Sequence, residues 1–82
     1  ITVPLSEAGV LIGRNPECSL VLSDEFASGR HARVYPEGDQ WFIDDLGSTN
    51  GTFVGPQRIG EHVPLHEGSR VRIGTTVLEV RK

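Results

Sequence analysis

Residues 70–81 read Arg70-Val71-Arg72-Ile73-Gly74-Thr75-Thr76-Val77-Leu78-Glu79-Val80-Arg81. Arginine alternates with an apolar residue over the first four positions, and Leu78 and Val80 alternate with Glu79 and Arg81 at the end. A period of two sends successive side chains to opposite faces, so each half is a strand with one face buried and one in water. Gly74-Thr75 between them is a turn. The chain before this hairpin is built the same way. Thr2–Leu5, Val10–Ile12, Leu20–Leu22, His31–Tyr35, Trp41–Asp44 and Thr52–Val54 are short runs rich in β-branched and aromatic residues. Asn15-Pro16, Pro36-Glu37-Gly38-Asp39, Gly55-Pro56 and Glu67-Gly68 separate the runs as turns. No helix-period segment, internal repeat, low-complexity tract or linker interrupts them. Short strands at close spacing with Gly/Pro turns predict an all-β fold, a sandwich or a barrel.

The chain has 82 residues, which predicts a single domain over 1–82. A chain of this size buries only about 60% of its unfolded surface, so the core is small. Its 37% hydrophobic and 23% charged residues suit a globular domain rather than a disordered one. A net charge of −3 argues against a general nucleic-acid binder, which needs a basic face. The aromatics Phe26, Tyr35, Trp41, Phe42 and Phe53 have no basic stripe between them. Arg14, Arg30 and Arg33 leave room for a local basic spot. Cys18 has no partner for an internal disulfide, which favours a reducing compartment and predicts a cytoplasmic location. No stretch approaches the ~20 apolar residues of a membrane span, so no membrane contact by this segment is expected. A chain that starts at Ile1 and ends on a strand-like run is expected to be a segment of a longer protein.

Three polar pieces sit at turn positions: Gly13-Arg14, Ser28-Gly29-Arg30-His31 and Ser48-Thr49-Asn50-Gly51-Thr52. Read alone, Gly13-Arg14 is a strand end with an exposed arginine. Its functional reading puts the Arg14 guanidinium on a phosphate through two parallel bonds, which lysine cannot make. Ser28 alone reads as a turn residue or cap, and His31 as a surface or partly buried histidine. Functionally, the Ser28 hydroxyl and the Gly29 N–H together offer an anion-binding nest, with His31 bracing the loop from beneath. Asn50-Gly51 is also a hairpin signal. The preceding Asp44-Asp45-Leu46-Gly47-Ser48-Thr49 is loop-like, however, so the Asn50 carboxamide is expected to face outward. A carboxamide carries both donor and acceptor and reads peptide backbone without regard to side chains.

Catalytic readings are weak. Ser28, His31 and Asp44 or Asp45 supply the letters of a triad, but Ser28 and His31 share one tight turn and no G-x-S-x-G elbow occurs. Pro64 separates His62 from His66 and no second cysteine supports Cys18, so no metal site is expected. No Walker loop or dinucleotide fingerprint is present, and no cofactor is expected. Asp44-Asp45 reads as a solvated strand end.

Taken together, the three pieces resemble the forkhead-associated (FHA) domain, a phosphothreonine-peptide reader. That family shows Gly-Arg, then Ser-x-x-His, then Ser-Thr-Asn-Gly-Thr, in this order, and the pattern spans Leu11 to Val80. The resemblance implies a sandwich of two antiparallel or mixed β-sheets with ligand-binding loops at one end. It implies that Arg14 and Ser28 hold phosphate, that Gly29 occupies a donor position beside it, that Thr49 stands near the threonine methyl, and that Asn50 clamps peptide backbone. Gly13, Gly51 and His31 are implied as loop-structural members. Specificity beyond the phosphate is implied for the loops holding Glu25-Phe26-Ala27 and Gly74-Thr75, with Phe26 and Thr75 as the candidates. An exposed Phe26 favours an apolar peptide residue, and Asp24 and Glu25 are expected to repel an acidic one.

Two departures stand out. The family often has Arg or Asn where this chain has Gly29, and an Asn-Gly turn where it has Gly55-Pro56. The wording Asp45-Leu46-Gly47-Ser48-Thr49-Asn50-Gly51-Thr52 is similar to the FHA modules of small actinobacterial proteins, which are often associated with membrane Ser/Thr kinases and cell-envelope or division control. The implied partner is a phosphothreonine-bearing protein or peptide, a Ser/Thr kinase or its substrate, met by a monomer. The competing reading is a phosphate-independent interaction module that uses a sheet face or edge.

Overall fold

The computed structural model describes residues 1–81. Ten strands form, with no helix among the described residues: β1 (Thr2–Pro4), β2 (Val10–Gly13), β3 (Leu20–Val21), β4 (Ala32–Glu37), β5 (Gln40–Asp45), β6 (Thr52–Val54), β7 (Gln57–Arg58), β8 (Val63–Leu65), β9 (Arg70–Ile73) and β10 (Thr76–Arg81). They make two five-stranded sheets, one in the order β1-β10-β9-β6-β7 and the other in the order β3-β2-β4-β5-β8. Pairing is antiparallel except that β1 runs parallel to β10 and β2 parallel to β3.

The alternation that predicts the β9–β10 hairpin also sets its burial. Val71, Ile73, Leu78 and Val80 are fully buried, while Arg70 and Arg72 face water. Their partners come from the other sheet: Val10, Ile12, Ala32, Val34, Ile43 and Leu65 join them in one core. At about 25 cal/mol per Å² of apolar area, that burial is the main favourable term holding two small sheets together.

Some strand boundaries differ from expectation. The fourth strand starts at Ala32, leaving His31 in the loop, and continues through Pro36 and Glu37, so the tight turn is confined to Gly38-Asp39. Strands β7 and β8 carry no clear pattern. Gln57 and Arg58 are both exposed, and the edge strand β8 contains Pro64, which an edge tolerates.

The loops that follow β2, β3, β5 and β9 meet at one end of the sandwich. Cross-loop bonds show this directly. The Arg14 N–H donates to the Ser28 carbonyl at 3.1 Å, the Thr49 N–H to Ser28 Oγ at 3.2 Å, and the Thr75 N–H to Asp24 Oδ2 at 2.8 Å.

Candidate functional site

The three polar pieces converge. Arg14, Ser28, Gly29, Thr49 and Asn50 line one open cavity of about 480 Å³, together with Glu25, Phe26 and Ala27. Arg14 and Gly29 also border a second, shallower hollow with Asn15 and Pro16. The Arg14 side chain is exposed and has no ion-pair or hydrogen-bond partner among the described residues. A guanidinium left free beside a hydroxyl and a backbone N–H is a site for an anion.

Ser28 is the junction. Its N–H donates to His31 Nδ1 at 2.9 Å, its carbonyl accepts from Arg14, and its Oγ accepts the Thr49 N–H. With one lone pair of Oγ taken by Thr49, the hydroxyl proton is free to point into the cavity. The Gly29 N–H has no acceptor among the described residues, while its carbonyl receives the Asn15 N–H at 3.0 Å and the Cys18 thiol at 3.2 Å.

His31 lies beneath the loops at 0% exposure. Nδ1 accepts from Ser28, so Nε2 carries the proton and donates to the Gly51 carbonyl at 2.9 Å. One ring thus ties the Ser28 loop to the Asn50-Gly51 loop. Both nitrogens are consumed, leaving no base for the Ser28 hydroxyl and removing the geometric ground for a triad.

Two glycines are demanded, Gly13 by space and Gly51 by its backbone conformation. A Cβ at Gly13 would lie 2.1 Å from the Gly29 carbonyl oxygen, so that strand end must be bare for the Ser28-Gly29 loop to cross it. Gly51 has φ +87°, and a Cβ there would meet the Arg58 guanidinium at 2.7 Å. Gly29 is unconstrained, since a Cβ there would meet nothing within 4 Å.

Asn50 is exposed, but its carboxamide is not wholly free: Nδ2 donates to the Phe26 carbonyl at 2.8 Å. That bond leaves Oδ1 and the second N–H for a ligand. Phe26, 49% exposed, and Asn50 also open onto an adjoining cavity of about 310 Å³ lined by Phe53, Arg72, Gly74 and Thr75. There the Arg72 guanidinium lies over the Phe53 ring, 4.3 Å from its centroid.

Two carboxylates organise the site in ways the sequence reading missed. Asp45 is not a solvated strand end. Its Oδ1 accepts the Gly47 and Ser48 N–H groups at 2.9 and 2.8 Å, and its Oδ2 accepts the Ser48 and Thr52 hydroxyls. Ser48 Oγ in turn accepts the Gly51 N–H at 3.0 Å. Burial pushes the Asp45 carboxyl up, but these donors outweigh it and hold it below the usual carboxylate range. Asp24, expected to be an exposed repelling charge, is only 6% exposed. It accepts the Thr76 hydroxyl, the Phe26 N–H and both donors of Thr75, and these hold it well below its ordinary value. The Asp45-Leu46-Gly47-Ser48 wording is a turn signal that pointed to the first. Nothing local pointed to the second.

A family model for the FHA domain matches residues 10–74. The chain belongs to the FHA family. FhaB of Mycolicibacterium smegmatis, an FHA domain-containing protein, is 47% identical over 79 residues, which cover 96% of this chain and 51% of that protein. The chain thus spans about half the length of the curated relatives it matches. A chain solved in a study of phosphothreonine-dependent FHA domain interactions superposes with a TM-score of 0.86 at 32% identity, covering 95% of this chain and 80% of that one. Mycobacterium tuberculosis EmbR, solved in complex with a low-affinity phosphopeptide, superposes with a TM-score of 0.78 at 32% identity, covering 92% of this chain and 21% of that one. In this FHA domain, Gly29 supplies only a backbone donor, and Gly55-Pro56 closes the β6–β7 hairpin without an amide side chain.

Proposed function

We propose that this domain binds phosphothreonine in a partner protein and carries no chemistry of its own. The observation that supports this most is the unpaired Arg14 guanidinium, which shares one cavity with Ser28, Gly29, Thr49 and Asn50. A phosphothreonine brings about −1.5 to −2 charges and three strong acceptor oxygens. Arg14, the Ser28 hydroxyl and the Gly29 N–H supply the donors, Thr49 stands by the threonine methyl, and Asn50 takes the peptide backbone. Each charge-assisted bond contributes roughly 1.5–3 kcal/mol net. Three or four, less the ordering of a flexible peptide, give about −7 to −9 kcal/mol, or roughly micromolar Kd. The site is open to water, so binding weakens as salt rises.

The adjoining cavity takes a peptide side chain beyond the phosphothreonine, on the side that follows it in the peptide. Phe26 and Thr75 are its selecting walls, and its aromatic lining favours an apolar residue. Repulsion of acidic residues by Asp24 is not part of this reading, because its carboxylate is buried and bonded, and the cation bordering the cavity is Arg72, which lies over the Phe53 ring. The partner is a Ser/Thr kinase or one of its substrates, met by a monomeric domain in the cytoplasm. Among the described residues, no helix is long and apolar enough to cross a membrane.

Titration of ¹⁵N-labelled protein with a phosphothreonine peptide tests the site. Amide shifts at Arg14, Ser28, Gly29, Thr49 and Asn50 are expected. Shifts confined to the edge strands β7 or β8 would favour the sheet-edge reading.

A further inference from the structure

We propose that Asp24 is a positioning residue for the peptide clamp: acting through the Phe26 main chain, it sets where Asn50 stands relative to the phosphate cradle. The proposal rests on reading that cradle as a phosphothreonine site.

Asp24 lies in the loop after β3, in the sheet ordered β3-β2-β4-β5-β8. Thr75 and Thr76 belong to the β9–β10 hairpin of the opposite sheet, 51 and 52 residues away. The carboxylate joins the two. Oδ2 accepts the Thr75 N–H at 2.8 Å, the Thr75 hydroxyl at 3.0 Å and the Thr76 hydroxyl at 2.7 Å. Oδ1 accepts the Phe26 N–H at 2.9 Å. On the other side of the same residue, the Phe26 carbonyl receives Asn50 Nδ2 at 2.8 Å.

These bonds form one relay from the hairpin through Asp24 and Phe26 to Asn50. The relay consumes one N–H of the carboxamide and thereby fixes which way its oxygen and second N–H point. The Phe26 side chain is half exposed and offers little packing to hold the segment. Its N–H is held by Asp24 Oδ1, and the peptide plane that carries its carbonyl is held by the Ala27 N–H on the Asp24 main-chain carbonyl at 3.0 Å. Both holds run to Asp24, whose carboxylate ties the turn to the hairpin and so sets where the Phe26 carbonyl lies. A clamp displaced by even a fraction of an ångström loses hydrogen-bond geometry to a peptide. The phosphate donors have ties of their own: Arg14 is on another loop, and Ser28, though on the Asp24 loop, is pinned at its N–H by His31, at its carbonyl by the Arg14 N–H and at Oγ by the Thr49 N–H.

A residue that merely stapled the two sheets would weaken every ligand alike and would do so independently of Asn50. A positioning residue acts only through Asn50. Titration calorimetry on wild type, Asp24→Asn, Asn50→Ala and the double variant, with an extended phosphothreonine peptide, separates the two. Inorganic phosphate followed by amide shifts serves as the second ligand. Asp24→Asn is expected to weaken the peptide about tenfold, a change of roughly 1.4 kcal/mol, and phosphate less than twofold. The double variant is expected to bind the peptide no worse than Asn50→Ala alone, the non-additivity of residues acting in one network. Additive losses, or equal losses for peptide and phosphate, would overturn the proposal. If Asp24→Asn does not fold, Thr76→Val removes one hydroxyl from Oδ2 and keeps the carboxylate. A few-fold loss on the peptide that vanishes in the Asn50→Ala background supports the relay, and a loss that persists there overturns it. Absence of any phosphopeptide binding by wild type would instead remove the phosphothreonine reading itself, and this proposal with it.

Discussion

The Thr49 amide donates to Ser28 Oγ at 3.2 Å, joining residues 21 apart in sequence across two loops. This bond uses the hydroxyl as an acceptor and so leaves its proton available for a ligand oxygen. Ser28→Ala therefore removes both a ligand donor and the tie between loops. It should weaken a phosphothreonine peptide by about 2 kcal/mol or more, roughly thirtyfold. Arg14→Ala should cost about as much for the ligand with no change in melting temperature, since that exposed side chain has no hydrogen-bond or ion-pair partner among the described residues. Calorimetry showing wild-type affinity in Arg14→Ala would remove the arginine from the site.

His31 differs from these because its two bonds are internal. His31→Ala opens a cavity at a fully buried position and orphans the Ser28 N–H and the Gly51 carbonyl. A loss of about 3 kcal/mol is expected, which for a domain of this size lowers the melting temperature by on the order of 15 °C. Affinity should fall with it. An unchanged melting temperature would contradict the bracing role.

Gly13 and Gly29 make a contrasting pair. Gly13→Ala would drive a methyl against the Gly29 carbonyl at 2.1 Å, so it should destabilise the fold and displace the Ser28-Gly29 loop. Gly29→Ala meets open space and should be neutral in stability to within about 0.5 kcal/mol. Gly29→Arg should tighten phosphopeptide binding several-fold by adding a second cation beside the anion. Thermal melts and titrations of the three variants decide it, and equal stability for Gly13→Ala and Gly29→Ala would refute the crossing geometry.

Acid should act through two carboxylates. Asp24 and Asp45 are both held below their ordinary values by the donors around them. A depressed folded-state value means that the stability is present above the unfolded value of about 3.9 and is lost as pH falls through the folded one. The part of the stability these two carboxylates supply should thus be nearly flat from about pH 7 to 5 and decline below about pH 4. Denaturant melts across pH should show a shallower acid limb in Asp45→Asn, and an identical slope would argue against the assignment. Phosphopeptide affinity should fade earlier, below about pH 6, as the phosphate takes up its second proton.

The fold was legible wherever a strand had one dry and one wet face, as in Arg70–Ile73. It was illegible where that contrast is missing. Gln57–Arg58 is exposed on both faces, and Val63-Pro64-Leu65 carries a proline at its centre. The residues that line the candidate pocket were legible because their chemistry is local to short motifs at turns. The supporting carboxylates were harder to see. Asp45 bonds within its own loop and follows a recognisable turn pattern. Asp24 finds Thr75 only after two sheets have packed, 51 residues along the chain, and no local pattern encodes that meeting.

The central claim is that Arg14, Ser28 and Asn50 form one pocket for a phosphorylated threonine. The direct measurement is calorimetric titration of the wild-type domain with one peptide in two states, threonine and phosphothreonine, at physiological salt. The account predicts roughly micromolar affinity for the phosphorylated form and a loss of about 100-fold or more without the phosphate. Equal affinity for the two peptides would contradict it.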